Sequence, residues 1–233
     1  MLEVSGLHTY YGRAHILADV TLDVARGEVV VLLGRNGAGK STTLKSIMGL
    51  TPAAAGRIRF AGRSIVGQPP HAIARLGLGY VPEDRRIFSE LTIRENLEVG
   101  RQPARADCPE WTPQALFRLF PNLAELVDRP GGRTSGGEQQ MLSIARTLMG
   151  NPMLILLDEP SEGLAPVIVE QMARTIKTLK KQGLSVLLSE QNLHFATLVS
   201  DRAYIIEKGR IRYQGVMQEL ASDEAIRRAY LSV

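Results

Sequence analysis

Three short segments of this chain carry residue types that could act on a phosphate. The first, Gly34-Arg35-Asn36-Gly37-Ala38-Gly39-Lys40-Ser41, fits the phosphate-cradling pattern G-x-x-x-x-G-K-[ST]. Glycines at 34, 37 and 39 let backbone N–H groups approach phosphate oxygens with no Cβ in the way. Lys40 supplies a point charge for the β- and γ-phosphates, and the Ser41 hydroxyl supplies a ligand for Mg²⁺. An apolar run at 29–33 precedes the segment, and a helix-like stretch at 42–49, opening on Thr42, follows it. That is the strand–loop–helix setting the pattern needs, and the helix would aim its positive dipole end at the same anion. Lys40 is expected to be a solvent-facing charge while the site is empty of phosphate.

The second segment is Asp158-Glu159, which ends the apolar run at 153–157. Ligands of open α/β sheets bind at the C-terminal edges of the strands. Asp158 is expected to hold Mg²⁺ through its water shell, and Glu159 to polarise the attacking water as general base. The third is Thr134-Ser135-Gly136-Gly137-Glu138-Gln139-Gln140, where Ser135 opens a helix carrying Met141, Leu142, Ile144, Ala145 and Leu148. A Ser-Gly-Gly start offers a hydroxyl, free amides and a dipole to an anion, although by chemistry alone it reads as an ordinary N-cap.

The elements that must position these groups alternate in type. Residues 2–7 and 16–24 alternate apolar and polar as half-buried strands do, and 57–60 looks like another strand ending in a turn. Strands on both sides of the first helix suggest an antiparallel layer beside a parallel core. From about residue 85 the character changes to helical, at 91–99 and 113–126, with a loop at 101–109. Residues 86–150 are thus expected to form a helical lobe inserted into an α/β core made of 1–85 and 151–233. Strands return at 153–157, 185–189 and 203–207. The helix at 167–182 places Val169, Met172, Ala173, Ile176 and Leu179 on one face. Ser222-Asp223-Glu224 caps a last short helix.

With 233 residues, 44% of them hydrophobic and 22% charged, the chain can bury a substantial core. Aromatics at 5% are too few for a base-stacking surface, which argues against nucleic acid as a partner. The net charge of +4 is spread over the sequence, with nothing denser than pairs such as Lys180-Lys181. Cys108 is the only cysteine, which excludes an internal disulfide or a cysteine metal cluster. Apolar runs fall far short of the roughly 20 residues that span a bilayer, and no leader-like basic-then-apolar start is present. Any membrane part is expected to come from another chain.

Taken together, the phosphate loop, the acidic pair and the Ser135 segment resemble the ATP-binding subunit of an ABC transporter over essentially the whole length. In that family the third segment is the signature, usually L-S-G-G-Q, here with Thr134 in the Leu place and Glu138 in the Gln place. The resemblance implies ATP and Mg²⁺ as ligands and a P-loop NTPase core of mostly parallel sheet, with an antiparallel β layer and a helical lobe. It also implies a head-to-tail pair of ATPase subunits, in which the Ser135, Gly136 and Gly137 of one close over ATP on the other. Tyr11 is similar to the aromatic that stacks on adenine. Glu83 stands at the Gln-loop position and Gln191 at the switch-histidine position, fixed by counting forward to Asp201-Arg202; His194 is out of register and expected at the surface. Gly163-Leu164-Ala165 replaces the usual Ala-Leu-Asp.

The departures occur together with Val81-Pro82-Glu83, Arg85-Arg86-Ile87-Phe88, Gly163-Leu164-Ala165-Pro166 and Glu190-Gln191-Asn192. Jointly these look like the branched-chain amino acid importer ATPases of LivF type. That layout implies two membrane-spanning permease subunits, a secreted substrate-binding protein, and a bacterial protein peripheral to the cytoplasmic face of the inner membrane. Importers of urea and short amides also fit. A lipopolysaccharide-type exporter, a soluble ABC ATPase and a P-loop kinase or GTPase fit less well. Ile87 and Phe88 are apolar where a loop should be polar: either an exposed pair at the permease interface near residues 83–88 and the helical lobe, or a pair buried beneath that lobe.

Overall fold

The computed structural model describes residues 1–106 and 108–230, so Asp107 of the expected 101–109 loop lies outside the described residues. The chain opens with a hairpin of β1 (Leu2–Tyr11) and β2 (Ala14–Val24), followed by β3 (Val29–Leu33), every residue of which is buried. Next come α1 (Lys40–Ile47), β4 (Ala53–Phe60), β5 (Arg63–Ser64), α2 (Pro70–Arg75) and β6 (Leu78–Val81). Helices α3 (Ile93–Gly100), α4 (Pro113–Leu119), α5 (Pro121–Glu125) and α6 (Gly136–Leu148) lie between β6 and β7 (Leu154–Asp158). The remainder is α7 (Pro166–Lys181), β8 (Ser185–Glu190), α8 (Leu193–Val199), β9 (Arg202–Glu207), β10 (Arg210–Val216), α9 (Met217–Ser222) and α10 (Glu224–Tyr230).

Two sheets result. One is antiparallel with strand order β2-β1-β4-β5; the other has the order β10-β9-β3-β8-β7-β6 and is parallel except for the β9–β10 hairpin. This is the expected α/β core with an antiparallel layer. Because successive strand residues point to opposite faces, β3 feeds two cores. Val30 and Leu32 join Leu156, Leu187 and the antiparallel layer, whereas Val29, Val31 and Leu33 join Leu157, Leu188 and the helices α3 to α8. A parallel strand covered on both sides must be apolar throughout, which is why 29–33 reads as an unbroken run.

Several elements differ from the sequence expectation for local reasons. The stretch 113–126 divides into α4 and α5 at Phe120, whose φ of −124° and ψ of 74° leave the helical region. Pro121 has no N–H to give and its ring disfavours a helical residue before it. Strand β10 was not anticipated: it sits at the edge of its sheet and has no buried residue, so it lacks an apolar signature. In α10 the Ile226 N–H donates to Asp223 Oδ1 at 3.0 Å, the capping expected there.

The β9–β10 turn is Lys208-Gly209, both at positive φ (47° and 72°). Gly209 is pinned between the antiparallel layer and the phosphate loop. Ala18 N–H donates to its carbonyl at 2.8 Å and its own N–H donates to Ala38 O at 2.8 Å. A Cβ on Gly209 would lie 1.9 Å from Ile16 O. Gly209→Ala should therefore lower stability by about 2–6 kcal/mol, the sum of backbone strain and overpacking at about 1–3 kcal/mol each. Chemical denaturation of the full chain measures it.

Candidate active site

The phosphate loop joins the C-terminal end of β3 to the start of α1, and its glycines have separate reasons to be glycine. A Cβ on Gly34 would stand 2.5 Å from Ile206 O, so packing against β9 excludes any side chain. Gly37 (φ 77°) and Gly39 (φ 112°) adopt left-handed backbone, and a Cβ on Gly37 would meet nothing within 4 Å. The open space at Gly37 belongs to a cavity of about 420 Å³ bounded by Tyr11, Asn36, Gly39 to Thr42, Glu83 and Glu159. Tyr11 is 48% exposed at its rim, where its hydroxyl lies 3.3 Å from Thr51 Oγ1. Ala38 is buried and Arg35 exposed.

Lys40 departs from expectation. It is 4% exposed rather than solvent-facing. Its Nζ donates to Gly34 O at 2.8 Å and Arg35 O at 3.2 Å, and pairs with Glu159 Oε1 at 2.9 Å. The ammonium is turned onto loop carbonyls and the neighbouring carboxylate, since a buried charge needs partners. Glu159 is itself 6% exposed and held at φ 47°, a conformation non-glycine residues seldom adopt. Its N–H donates to Ser189 O at 3.2 Å and to Ser189 Oγ at 3.1 Å, which fixes that backbone. Glu159 Oε2 is buried without a hydrogen-bond donor.

Asp158 collects three hydroxyls. Ser41 Oγ donates to Oδ1 at 2.8 Å, Ser189 Oγ donates to Oδ1 at 2.6 Å, and Tyr80 Oη donates to Oδ2 at 3.1 Å. Burial, then the adjacent Asp158 charge, pushes the Tyr80 phenol well above its usual range, so it stays a donor. Ser189 and Tyr80 were not singled out from sequence. Parallel pairing of β7 with β8 puts Ser189 opposite Asp158, and pairing with β6 puts Tyr80 opposite Leu156. Only that register brings their hydroxyls to Asp158.

Glu190, also unforeseen, is a buried carboxylate that accepts from Ser161 N at 3.1 Å, Gln191 N at 3.2 Å and Asn192 N at 3.1 Å. Burial raises its pKa, while the backbone N–H groups of Ser161 and Asn192 pull it back. It thereby ties the turn after Glu159 to the segment carrying Gln191. Gln191 is exposed and lies with Asn192 beside Gly34, Arg35 and Asn36, around a second cavity of about 340 Å³. His194 is exposed, as expected.

The Ser135 segment stands apart. Ser135 caps α6 in a reciprocal box: Glu138 N–H donates to its Oγ at 3.3 Å, and its own N–H donates to Glu138 Oε2 at 2.6 Å. Ser135 and Gly136 are exposed, and neither they nor Gly137 line the cavity around Lys40. The loop after Glu83 bridges the two regions. Arg85 and Arg86 are both at positive φ (61° and 48°), and Arg85 O accepts from Ser143 Oγ at 2.6 Å and Arg146 Nη2 at 3.3 Å on α6. Of the expected apolar pair, Phe88 is 46% exposed under the Arg146 guanidinium, and Ile87 packs on the helical core.

Comparison with known proteins places this geometry. The model of the ABC transporter family matches residues 17–162. The chain belongs to this family. It is 45% identical over 231 residues, 99% of either chain, to the high-affinity branched-chain amino acid transport ATP-binding protein BraG of Pseudomonas aeruginosa. It is 39% identical over 225 residues to the lipopolysaccharide export system ATP-binding protein LptB of Escherichia coli K12, covering 95% of this chain and 92% of that one. The solved ADP conformation of an ATP-binding cassette of an ABC transporter superposes with a TM-score of 0.83 at 27% identity, covering 100% of this chain and 99% of that one. The chain is an ABC-type ATPase with the fold of these nucleotide-binding cassettes. Among the hydroxyls around Asp158, Ser189 offers the most direct check. Ser189→Ala should cost about 1–3 kcal/mol of stability by removing a charge-assisted donor from Asp158, read by chemical denaturation, and should lower ATP turnover.

Proposed function

We propose that the chain is the ATP-hydrolysing subunit of a bacterial ABC importer for branched-chain amino acids. The observation that carries this reading is the 45% identity to BraG along the whole chain, against 39% to LptB over a shorter span. An ATPase of an amide importer remains the near alternative, and an exporter ATPase the next.

In the proposed chemistry, ATP lies along Gly34 to Thr42, its adenine against Tyr11 and its β- and γ-phosphates against Lys40, with Glu83 at the far side of the cavity. The γ-phosphate takes over Lys40 from Glu159, releasing the base. Glu159 then polarises the attacking water, for which Oε2 is a ready acceptor. Gln191 can donate an amide N–H to phosphate but takes up no proton. The donor set also suits Mg²⁺: Ser41 Oγ and Asp158 Oδ1 stand 2.8 Å apart, hard oxygens of the kind Mg²⁺ prefers. When bound there, Mg²⁺ would offset charge on the phosphates.

With Ser135 and Gly136 exposed and Gly137 beside them, the signature lies away from the cavity around Lys40 and leaves that site one wall short. A second ATPase subunit, identical or related, would bring its own signature head-to-tail over the nucleotide, making contacts that exist only in the closed pair. No described helix is long and apolar enough to cross a membrane. On the identity to BraG the chain sits peripherally at the cytoplasmic face of the inner membrane, on two permease subunits, with a secreted binding protein acting indirectly and no nucleic acid involved. The docking surface would be the groove of about 600 Å³ lined by Tyr80, Arg86, Phe88, Val99 and Arg146, at the inserted lobe of residues 86–150.

Lys40→Ala is a poor test, because stranding the buried Glu159 would cost about 3–5 kcal/mol by itself. Glu159→Gln keeps a partner for Lys40. It should retain ATP binding in an equilibrium titration and reduce turnover by about 10²–10⁴-fold; near-normal turnover would sink the base assignment. For the cargo, the chain reconstituted with its permeases and binding protein in vesicles should drive ATP-dependent leucine uptake. Uptake of urea alone, or extraction of lipopolysaccharide, would overturn that part.

A further inference from the structure

Arg85 is the first of the two left-handed residues in the loop after Glu83, and the chemistry above gives its side chain no part. Its backbone is fixed from both sides. Arg85 N–H donates to Pro82 O at 3.1 Å, and Arg85 O is held by Ser143 and Arg146 of α6. The guanidinium lies against the start of that same helix. A Cβ added to Gly136 would stand 3.0 Å from Arg85 Nη1 and 3.6 Å from both Cζ and Nη2, so the planar group covers the place a side chain at 136 would take. Among the described residues this half-buried guanidinium makes no ion pair and donates no hydrogen bond. Five N–H donors in a fork that matches carboxylate or phosphate oxygens are thus left without an acceptor.

The helix start by itself is a poor place for an anion. Its first turn carries an acid, Glu138, whose Oε2 already accepts the Ser135 N–H at 2.6 Å. A carboxylate so placed occupies an amide that a phosphate could use, and its charge repels a second anion nearby. Arg85 brings a positive charge to Gly136, next to the exposed Ser135, with its donors uncommitted. It does not line the cavity around Lys40 of its own chain.

We propose that Arg85 acts across the pair of ATPase subunits: its guanidinium, beside Ser135 and Gly136, binds the γ-phosphate of the nucleotide held by the other subunit. The inference rests on the head-to-tail pair described above, in which the Ser135 segment of one subunit closes over the ATP of the other. As hydrolysis proceeds, water oxygen bonds to the γ-phosphorus, the bond to the β-phosphate oxygen breaks, and its electron pair leaves with ADP. The base of that site takes the proton of the water, and Arg85 stays protonated throughout. Its part is to hold the phosphoryl oxygens while their charge redistributes. A lysine could give one bond where the fork gives two in parallel.

The assembled transporter carries the test, with substitutions confined to one copy of this chain, selected by an affinity tag where both ATPase subunits are identical. Glu159→Gln in that copy silences its own site, so the remaining turnover belongs to the nucleotide on the other subunit. Adding Arg85→Met, which keeps an apolar stem against Gly136 and removes the charge, should lower that remaining kcat by about 10²–10³-fold. Adding Arg85→Lys should lower it less. No further loss with Arg85→Met would overturn the proposal. Equal losses in the two variants would overturn it as well, since the effect would then not follow the charge. Ser135→Arg added instead should block the other site sterically. If the remaining turnover survives Ser135→Arg, the head-to-tail reading has failed, which separates that failure from a failure of Arg85.

Discussion

Asp158 and Glu159 are carboxylates forced to exist at the end of a strand whose five residues are all buried, and the surrounding architecture follows from satisfying them. Asp158, 1% exposed, is reached by hydroxyls from α1, β6 and β8. Glu159, one residue on, is turned by its left-handed backbone away from the sheet and toward the phosphate loop. Charges of this kind are tolerated in a sheet interior only when hydrogen-bonded or paired. Four neighbouring chain segments are consequently locked in register around two side chains.

The Lys40–Glu159 pair ties the phosphate loop to the end of β7, a cation and an anion at 2.9 Å that are both shielded from water. Their net contribution is small because desolvation offsets the attraction.

The chemistry was legible in sequence where it depends on contiguous residues. Gly34 to Ser41, Ser135 as a helix cap and the Asp158-Glu159 pair are all local patterns, and the parallel core followed from apolar runs alternating with helices. What sequence withheld depends on pairing between distant strands. Ser189 is an unremarkable serine until β8 aligns with β7, and Tyr80 an ordinary strand aromatic until β6 does. The burial of Lys40 is set by tertiary neighbours that its motif does not encode, above all Glu159 at the end of β7. Edge strand β10 and short α2 escaped because a half-exposed element prints little periodicity.

Arg85 and Arg86 occupy left-handed backbone in succession, which ordinary side chains resist. Their loop starts at the Glu83 rim of the nucleotide cavity and ends under α6, where Ser143 and Arg146 grip a single carbonyl. Such a segment has few alternative shapes available to it. Two consecutive left-handed residues and a doubly bonded carbonyl thus tie the rim of the cavity to the helix bearing Ser135. The link between cavity rim and α6 is made partly by backbone shape and partly by the Ser143 and Arg146 side chains.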